Sequence, residues 1–468
     1  MARLGLGAVA VAVFAVAVGL GLRRIPVSSG WALLATVPVL IVVGFVVARG
    51  PRACLALLVA TAVVGLNRHL IGGQHGFRVI DIFWLGLVGW TLSIRAREGR
   101  RLGRQVGQRY VGVWLAALLV SLYPVAVYTP NGFTNAFISW ARLAETISVV
   151  WLVPYALRTI EDIEFVFGVI EVSVAATIVQ AMTQYGPASG GRLGGGSADT
   201  IGLLAALLLG AAIHAPVPRR RPLRAAMLVL GLTALLLTRS VGSLVAAGVM
   251  LGVFGFQPAP RRSRHAWLLT PARLLLLVLA VGATAATLRP GSLPTSKTFG
   301  QSTALNRTVF ATAGLDIFRD HPIVGVGWSR GPYEMGSDKI IRQLRAQFGP
   351  SLRADFLPTP GTGASSLHNT YIEILAEAGL IGFGCLVALF LASFGGIRAV
   401  IRSAAGDPHV AACAWCAAAL LVGVLVWLND NALFGTQPET VLAATFLGVL
   451  AAVPHVQRKA ERATLVLE

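Results

Sequence analysis

The chain has 468 residues, 55% of them hydrophobic and only 13% charged, with a mean hydropathy of +0.73. Soluble domains carry about 25% charged residues, so this composition excludes an ordinary soluble enzyme and describes an integral membrane protein. The net charge of +19 would point to nucleic acid in a soluble protein. Here the arginines concentrate in short gaps between apolar runs, as the positive-inside rule expects of cytoplasmic loops, and no nucleic-acid partner is expected.

Residues 4–22 resemble a signal h-region, but Arg23-Arg24-Ile25-Pro26 offers no small-x-small cleavage site, so a retained first helix is expected. Further apolar segments fall near 31–48, 53–68, 79–94, 110–128, 136–157, 165–185, 200–217, 225–239, 241–257, 273–288, 372–397, 409–428 and 440–456. Crossing a bilayer takes about 20 residues. These runs are rich in Ala, Leu, Val and Gly, which suits closely packed membrane helices, and they lack the alternation of a membrane barrel. The expected fold is all-α and polytopic, with about 12–14 transmembrane helices and one large extracytoplasmic loop. Cys54, Cys385, Cys413 and Cys416 read as small buried residues rather than a metal or redox site.

Three arginine-bearing gaps set the orientation: 95–109, 219–224 and 261–264. All lie on one side if both termini are cytoplasmic. The opposite side keeps few positive charges, notably Arg78, Arg192 and Arg239. The domain plan is then an N-terminal helix bundle over 1–288, an extracytoplasmic loop over 289–367, and C-terminal membrane helices over 368–468. Within the loop, 303–320 and 333–348 have amphipathic helical patterning, which suggests a folded cap over a membrane cavity.

Several residues could carry chemistry. His368 and Asn369 stand where this polar segment gives way to a membrane helix. Thr370-x-x-Glu373 has the spacing of a capping box, so His368 is placed just outside a helix N-terminus, where the dipole disfavours imidazolium and a neutral imidazole can accept a proton. Glu373 and Glu377 are assigned to capping and interfacial pairing. The glycine-rich run 190–199 contains Arg192, and glycines that expose N–H groups beside an arginine can bind phosphate oxygens. Arg239 interrupts an apolar stretch, and Arg307 opens a helical segment that ends in His321-Pro322-Ile323-Val324-Gly325-Val326-Gly327. Arg142 and Glu145, three residues apart within one span, either pair with each other or line a cavity.

Together these pieces resemble the O-antigen ligase/polymerase family of bacterial membrane glycosyltransferases. The resemblance rests on Arg307, the Pro-x-x-Gly-x-Gly of 322–327, the His-Asn-x-Tyr-x-Glu of 368–373 and the Gly-x-x-Gly of 379–382. Two departures stand out: Ser197-Ala198-Asp199 where the family has Asn-Pro-Asn, and Arg239 two places ahead of the family's Ser-Arg-Gly arginine. The resemblance implies glycan transfer from an undecaprenyl-pyrophosphate carrier to an acceptor hydroxyl, outside the bacterial cytoplasmic membrane. It makes His368 the base or acceptor-orienting group. Arg192, with Arg239 or Arg307, would bind the pyrophosphate, and Asn369 would contact substrate. The partners would be the lipid-linked glycan donor, a glycan, lipid or protein acceptor, and the bilayer, with no metal or other cofactor. A polymerase joining lipid-linked repeat units is the alternative. A transporter using Arg142, Glu145 and Asp81 as a charged pathway is a more distant one.

Overall fold

The structure, a computed structural model, describes residues 49–64, 69–71, 77–98, 107–128, 130–183, 233, 245–250, 253, 301–349, 367, 369–403, 408–428 and 438–467. It is helical throughout apart from a two-stranded antiparallel hairpin, β1 (His69–Ile71) with β2 (Phe77–Arg78). The first helices are α1 (Pro51–Val63), α2 (Val79–Glu98), α3 (Gln108–Val120), α4 (Leu122–Tyr128), α5 (Pro130–Ala156) and α6 (Ile160–Thr183). After the residues outside the description come α7 (Gln301–Asp320), α8 (Gly331–Met335), α9 (Asp338–Phe348), α10 (Thr370–Ser403), α11 (Pro408–Trp427) and α12 (Pro438–Leu467).

Among the described residues, five helical stretches are long and apolar enough to cross a bilayer: Val79–Glu98, Gln108–Tyr128, Gly132–Ala156, Thr370–Arg402 and Thr440–Gln457. The all-α polytopic fold expected from composition is therefore observed. The spans read near 4–22, 31–48, 200–217, 225–239 and 273–288, and most of 241–257, lie outside the described residues.

Among the described residues, three larger apolar cores and a small one between α1 and α6 hold the helices together. The largest joins α1, α2, α5 and α6 to α11 and α12, with Phe167 edge-on to Phe446 at a centroid distance of 5.3 Å. Gly448 of α12 lies directly against the Val153 side chain of α5, the close backbone approach that small residues permit between membrane helices. A second core packs Trp114, Leu118 and Val125 against Ile374, Leu386 and Leu389. The third sits outside these spans, where Val309, Ala313 and Ile317 of α7 meet Met335, Ile340, Leu344, Leu367 and Ala376. The two amphipathic segments read from the sequence are present as helices. The second is divided at Gly336-Ser337, because the Ser337 hydroxyl accepts the Ile340 N–H at 3.4 Å and caps α9 afresh.

The decisive local feature is a break in α10. Gly379 has φ 61° and ψ −162°, so the two helical bonds that would join the Leu380 and Ile381 amides to the Ala376 and Glu377 carbonyls are not made. The turn after α7 supplies all four partners. Leu380 N–H donates to Pro322 O at 2.9 Å and Ile381 N–H to Ile323 O at 3.3 Å. Val326 N–H donates to Ala376 O at 2.9 Å and Gly327 N–H to Glu377 O at 2.8 Å. Unmade, each such bond in an apolar setting would cost about 1–3 kcal/mol.

The sequence motifs follow from this geometry. His321-Pro322 stops α7, as the pattern indicated. Gly325 (φ 70°) presses on the Glu377–Ala378 peptide, and Gly379 presses on the Ile323–Val324 peptide. A side chain at either glycine would occupy the other segment's backbone. The Gly-x-x-Gly of 379–382 thus lies inside α10, which starts at Thr370 and is interrupted at Gly379. Gly325→Ala and Gly379→Ala should each destabilise the purified protein by about 2 kcal/mol or more, read as a lowered unfolding midpoint. An unchanged midpoint in either variant would show that the turn and the break do not depend on one another.

Candidate functional site

The start of α10 is fixed by its neighbours. Asn369 is the N-cap: its Oδ1 accepts the Tyr371 and Ile372 amides, both at 3.1 Å, and its carbonyl accepts the Glu373 amide at 2.9 Å. The capping box read at Thr370 and Glu373 is thus displaced by one residue, because the asparagine amide oxygen reaches the N2 and N3 donors first. Thr370 N–H donates to Leu428 O at 2.9 Å, and the Tyr371 hydroxyl donates to Leu425 O at 2.5 Å, tying this end to the end of α11.

One turn apart on α10, Glu373 and Glu377 are both buried, at 6% and 2% exposure. Their assignment to capping and interfacial pairing is corrected by what surrounds them. The Glu377 carboxylate accepts the Ser329 amide at 2.8 Å and the Gly331 amide at 3.0 Å, so it holds the turn that enters the helix break. Ser329 has φ 65°, the one positive value at a non-glycine among the described residues. Such a conformation persists only where neighbours enforce it, and here a charged acceptor does. The Leu367 backbone hydrogen-bonds the Glu373 carboxylate, but Glu373 Oε2 has no hydrogen-bond partner among the described residues.

Both carboxylates line a small polar cavity with Ser139, Trp328, Ser329, Pro332, Thr370 and Ile374. The Trp328 indole N–H donates to Ser139 Oγ at 3.2 Å, closing the wall between the turn and α5. The cavity has about 20 Å³ of room, enough for one water molecule or one hydroxyl group.

A second polar cluster lies between α2 and α5. Arg142 Nη1 donates to Asp81 Oδ2 at 2.6 Å and to Glu145 Oε2 at 3.1 Å. Arg78 donates from its backbone N–H and Nε to Asp81, at 2.8 and 3.2 Å, and from Nη2 to Glu145 at 3.4 Å. Burial draws the Arg78 guanidinium below its ordinary pKa, while Asp81 and Glu145 pull it back up and Arg142 opposes them. Two cations and two anions compensate each other. The residues named for a charged transport pathway are thus paired within one neutral cluster.

Of the site residues read from sequence, Asn369 and Arg307 are described, whereas His368, Arg192 and Arg239 lie outside the described residues. Buried Leu367 and the cap Asn369 flank position 368. Arg307 is half-buried on α7, two turns before Gly314, which abuts Leu367 and Ile372. Contacts then advance in step to the Pro322–Leu380 bond, so Arg307 lies about 10 Å further along α7, beyond the N-terminal end of α10. Sequence reading missed Glu373, Glu377, Ser139 and Ser329. The available signal was two carboxylates one turn apart inside an apolar run, which is costly unless used.

These helices define a polytopic membrane protein whose polar residues gather at a broken span. Residues 226–387 match the family model described as O-Antigen ligase, so this segment of the chain is similar to that family. The match contains Arg239, Arg307, the inserted turn, His368 to Glu373 and the break at Gly379, but neither Arg192 nor Ser139. No curated protein matches the chain. The match supports, in general terms, a membrane protein of the O-antigen ligase or polymerase type.

Removing one anion from the α2–α5 cluster should leave two guanidiniums sharing the single carboxylate of Glu145. Asp81→Asn is expected to destabilise the fold by about 3 kcal/mol, measured as a lowered unfolding midpoint. A midpoint equal to that of the parent would mean the cluster contributes nothing to the bundle.

Proposed function

We propose that the protein transfers a glycan from an undecaprenyl-pyrophosphate carrier to an acceptor hydroxyl on the outer side of the cytoplasmic membrane. The observation that carries this reading is the carboxylate-lined cavity at the head of a broken span, formed by residues of the matched segment together with Ser139 of α5. The acceptor oxygen forms a bond to the sugar C1, the C1–oxygen bond to the pyrophosphate breaks, and the carrier leaves with both phosphates. His368 takes the acceptor proton, or orients that hydroxyl, immediately before the capped start of α10. Asn369 contributes by fixing that start and so the direction in which residue 368 enters the site.

Arg307, beyond the end of α10, together with Arg192 and Arg239, neutralises the charge on the leaving pyrophosphate. Arginine suits this work because its planar fork can bind phosphate oxygens in pairs, and cationic side chains can supply the electrostatic stabilisation that a metal gives elsewhere. The outer-facing orientation, with both termini cytoplasmic, is supported by the charge bias of the gaps. The exposed Tyr123, Tyr128 and Phe133 near the α4–α5 corner are also consistent with an interfacial belt. A ligase and a polymerase differ here only in the acceptor that enters.

His368→Ala in full-length protein reconstituted with lipid-linked glycan should lower transfer by about 100-fold or more without shifting the unfolding midpoint. Activity equal to the parent would remove His368 from the mechanism. Arg192→Ala should raise the apparent donor KM by about tenfold and leave the acceptor KM unchanged. An unchanged donor KM would remove Arg192 from the pyrophosphate site.

A further inference from the structure

Glu373 and Glu377 are equally deep and one turn apart, yet their surroundings differ in kind. Both Glu377 oxygens are taken by backbone amides of the inserted turn. Glu373 lines the cavity, and its Oε2 is buried with no hydrogen-bond partner among the described residues. An acceptor left unmade at that depth costs about 1–3 kcal/mol, more if charged, which a protein tolerates where a ligand completes the bond.

The cavity restricts what that ligand can be. About 20 Å³ of room suits a hydroxyl-sized group. A hard cation such as Ca²⁺ takes six to eight oxygen ligands, and the Glu377 oxygens are already committed. The Ser139 hydroxyl completes a lining able to hydrogen-bond a hydroxyl oxygen. The remaining fit is a hydroxyl group on a larger molecule that sits across the mouth.

We propose that Glu373 binds one hydroxyl group of a saccharide substrate through Oε2, acting as a specificity residue that holds a single sugar position in the cavity beside the start of α10. This rests on the transferase reading for the identity of the substrate, but the binding itself does not require turnover. A hydroxyl inserted here donates to Oε2, and its oxygen accepts from the Ser139 hydroxyl. A sugar lacking that hydroxyl leaves the carboxylate unpaired, so discrimination is built from a desolvated partner rather than from shape.

The test uses full-length protein in lipid nanodiscs, with methyl glycosides of common hexoses and their monodeoxy analogues as probes, read by saturation-transfer NMR. At least one parent glycoside should bind, and Glu373→Gln should weaken it about tenfold or more. One deoxy position should weaken binding to the unaltered protein by a similar factor and cost nothing further in E373Q. A merely structural role would depress all analogues alike. No glycoside binding, equal binding by E373Q, or equal loss at every deoxy position would each overturn the proposal. If E373Q does not fold, the deoxy series on the unaltered protein decides alone.

In the transferase assay, E373Q should raise KM for either the donor or the acceptor, which names the source of the hydroxyl. Movement of neither would overturn the proposal. Glycoside binding that depends on Glu373, in a protein that forms no transfer product, would sink the transferase reading and leave this one standing.

Discussion

Two missing helical hydrogen bonds at Gly379 organise the rest of this molecule. An apolar helix cannot leave backbone groups unpaired among lipid and protein hydrocarbon, so a break in α10 must be filled by other backbone. The turn at 322–327 fills it with four bonds and brings Trp328, Ser329 and Pro332 with it. Glu377 then clamps that turn from the helix side. The cavity follows from this exchange: one wall is the turn, one is α10 and one is Ser139 of α5. A continuous α10 would have no place for the turn and no polar pocket at its head.

Charge inside the spans is handled in two ways, and the contrast is informative. Around Asp81 and Arg142, every charge has an opposite partner within 3.4 Å, giving a closed set that stiffens the contact between α2 and α5. Around Glu373, the nearest charged side chain of the cavity is another carboxylate, and that one is already satisfied by amides. The first cluster explains itself by compensation. The second is completed only by something that enters, which is why the chemistry is placed there and not at the larger cluster of charges.

The sequence announced some of this and hid the rest for physical reasons. Helices near 79–94, 136–157 and 440–456 were legible because apolar length suffices to identify a span. The turn motif and the Gly-x-x-Gly were also visible, but not that they fit each other. Gly325 and Gly379 are far apart in the chain, and nothing local says that each occupies the space the other's side chain would need. Asn369 could be mistaken for a substrate contact because its capping role depends on where the helix begins, and helix starts are uncertain by a residue or two. Glu373 and Glu377 were read as capping and interfacial carboxylates because the covering turn comes from a distant segment. Arg142 and Glu145 were visible as neighbours on one helix, whereas Arg78 and Asp81 joined them only through the packing of α2 on α5.

The central claim is that the broken head of α10 and the inserted turn together form the place where the transferred sugar is held. An experimental structure of the full-length protein with an undecaprenyl-pyrophosphate glycan analogue tests it most directly. The account predicts α10 interrupted at Gly379, the turn seated in the interruption, and sugar density reaching Glu373 with the pyrophosphate on the Arg307 side. A continuous helix through Gly379, or an analogue bound away from the cavity lined by Ser139, Thr370 and Glu373, would contradict it.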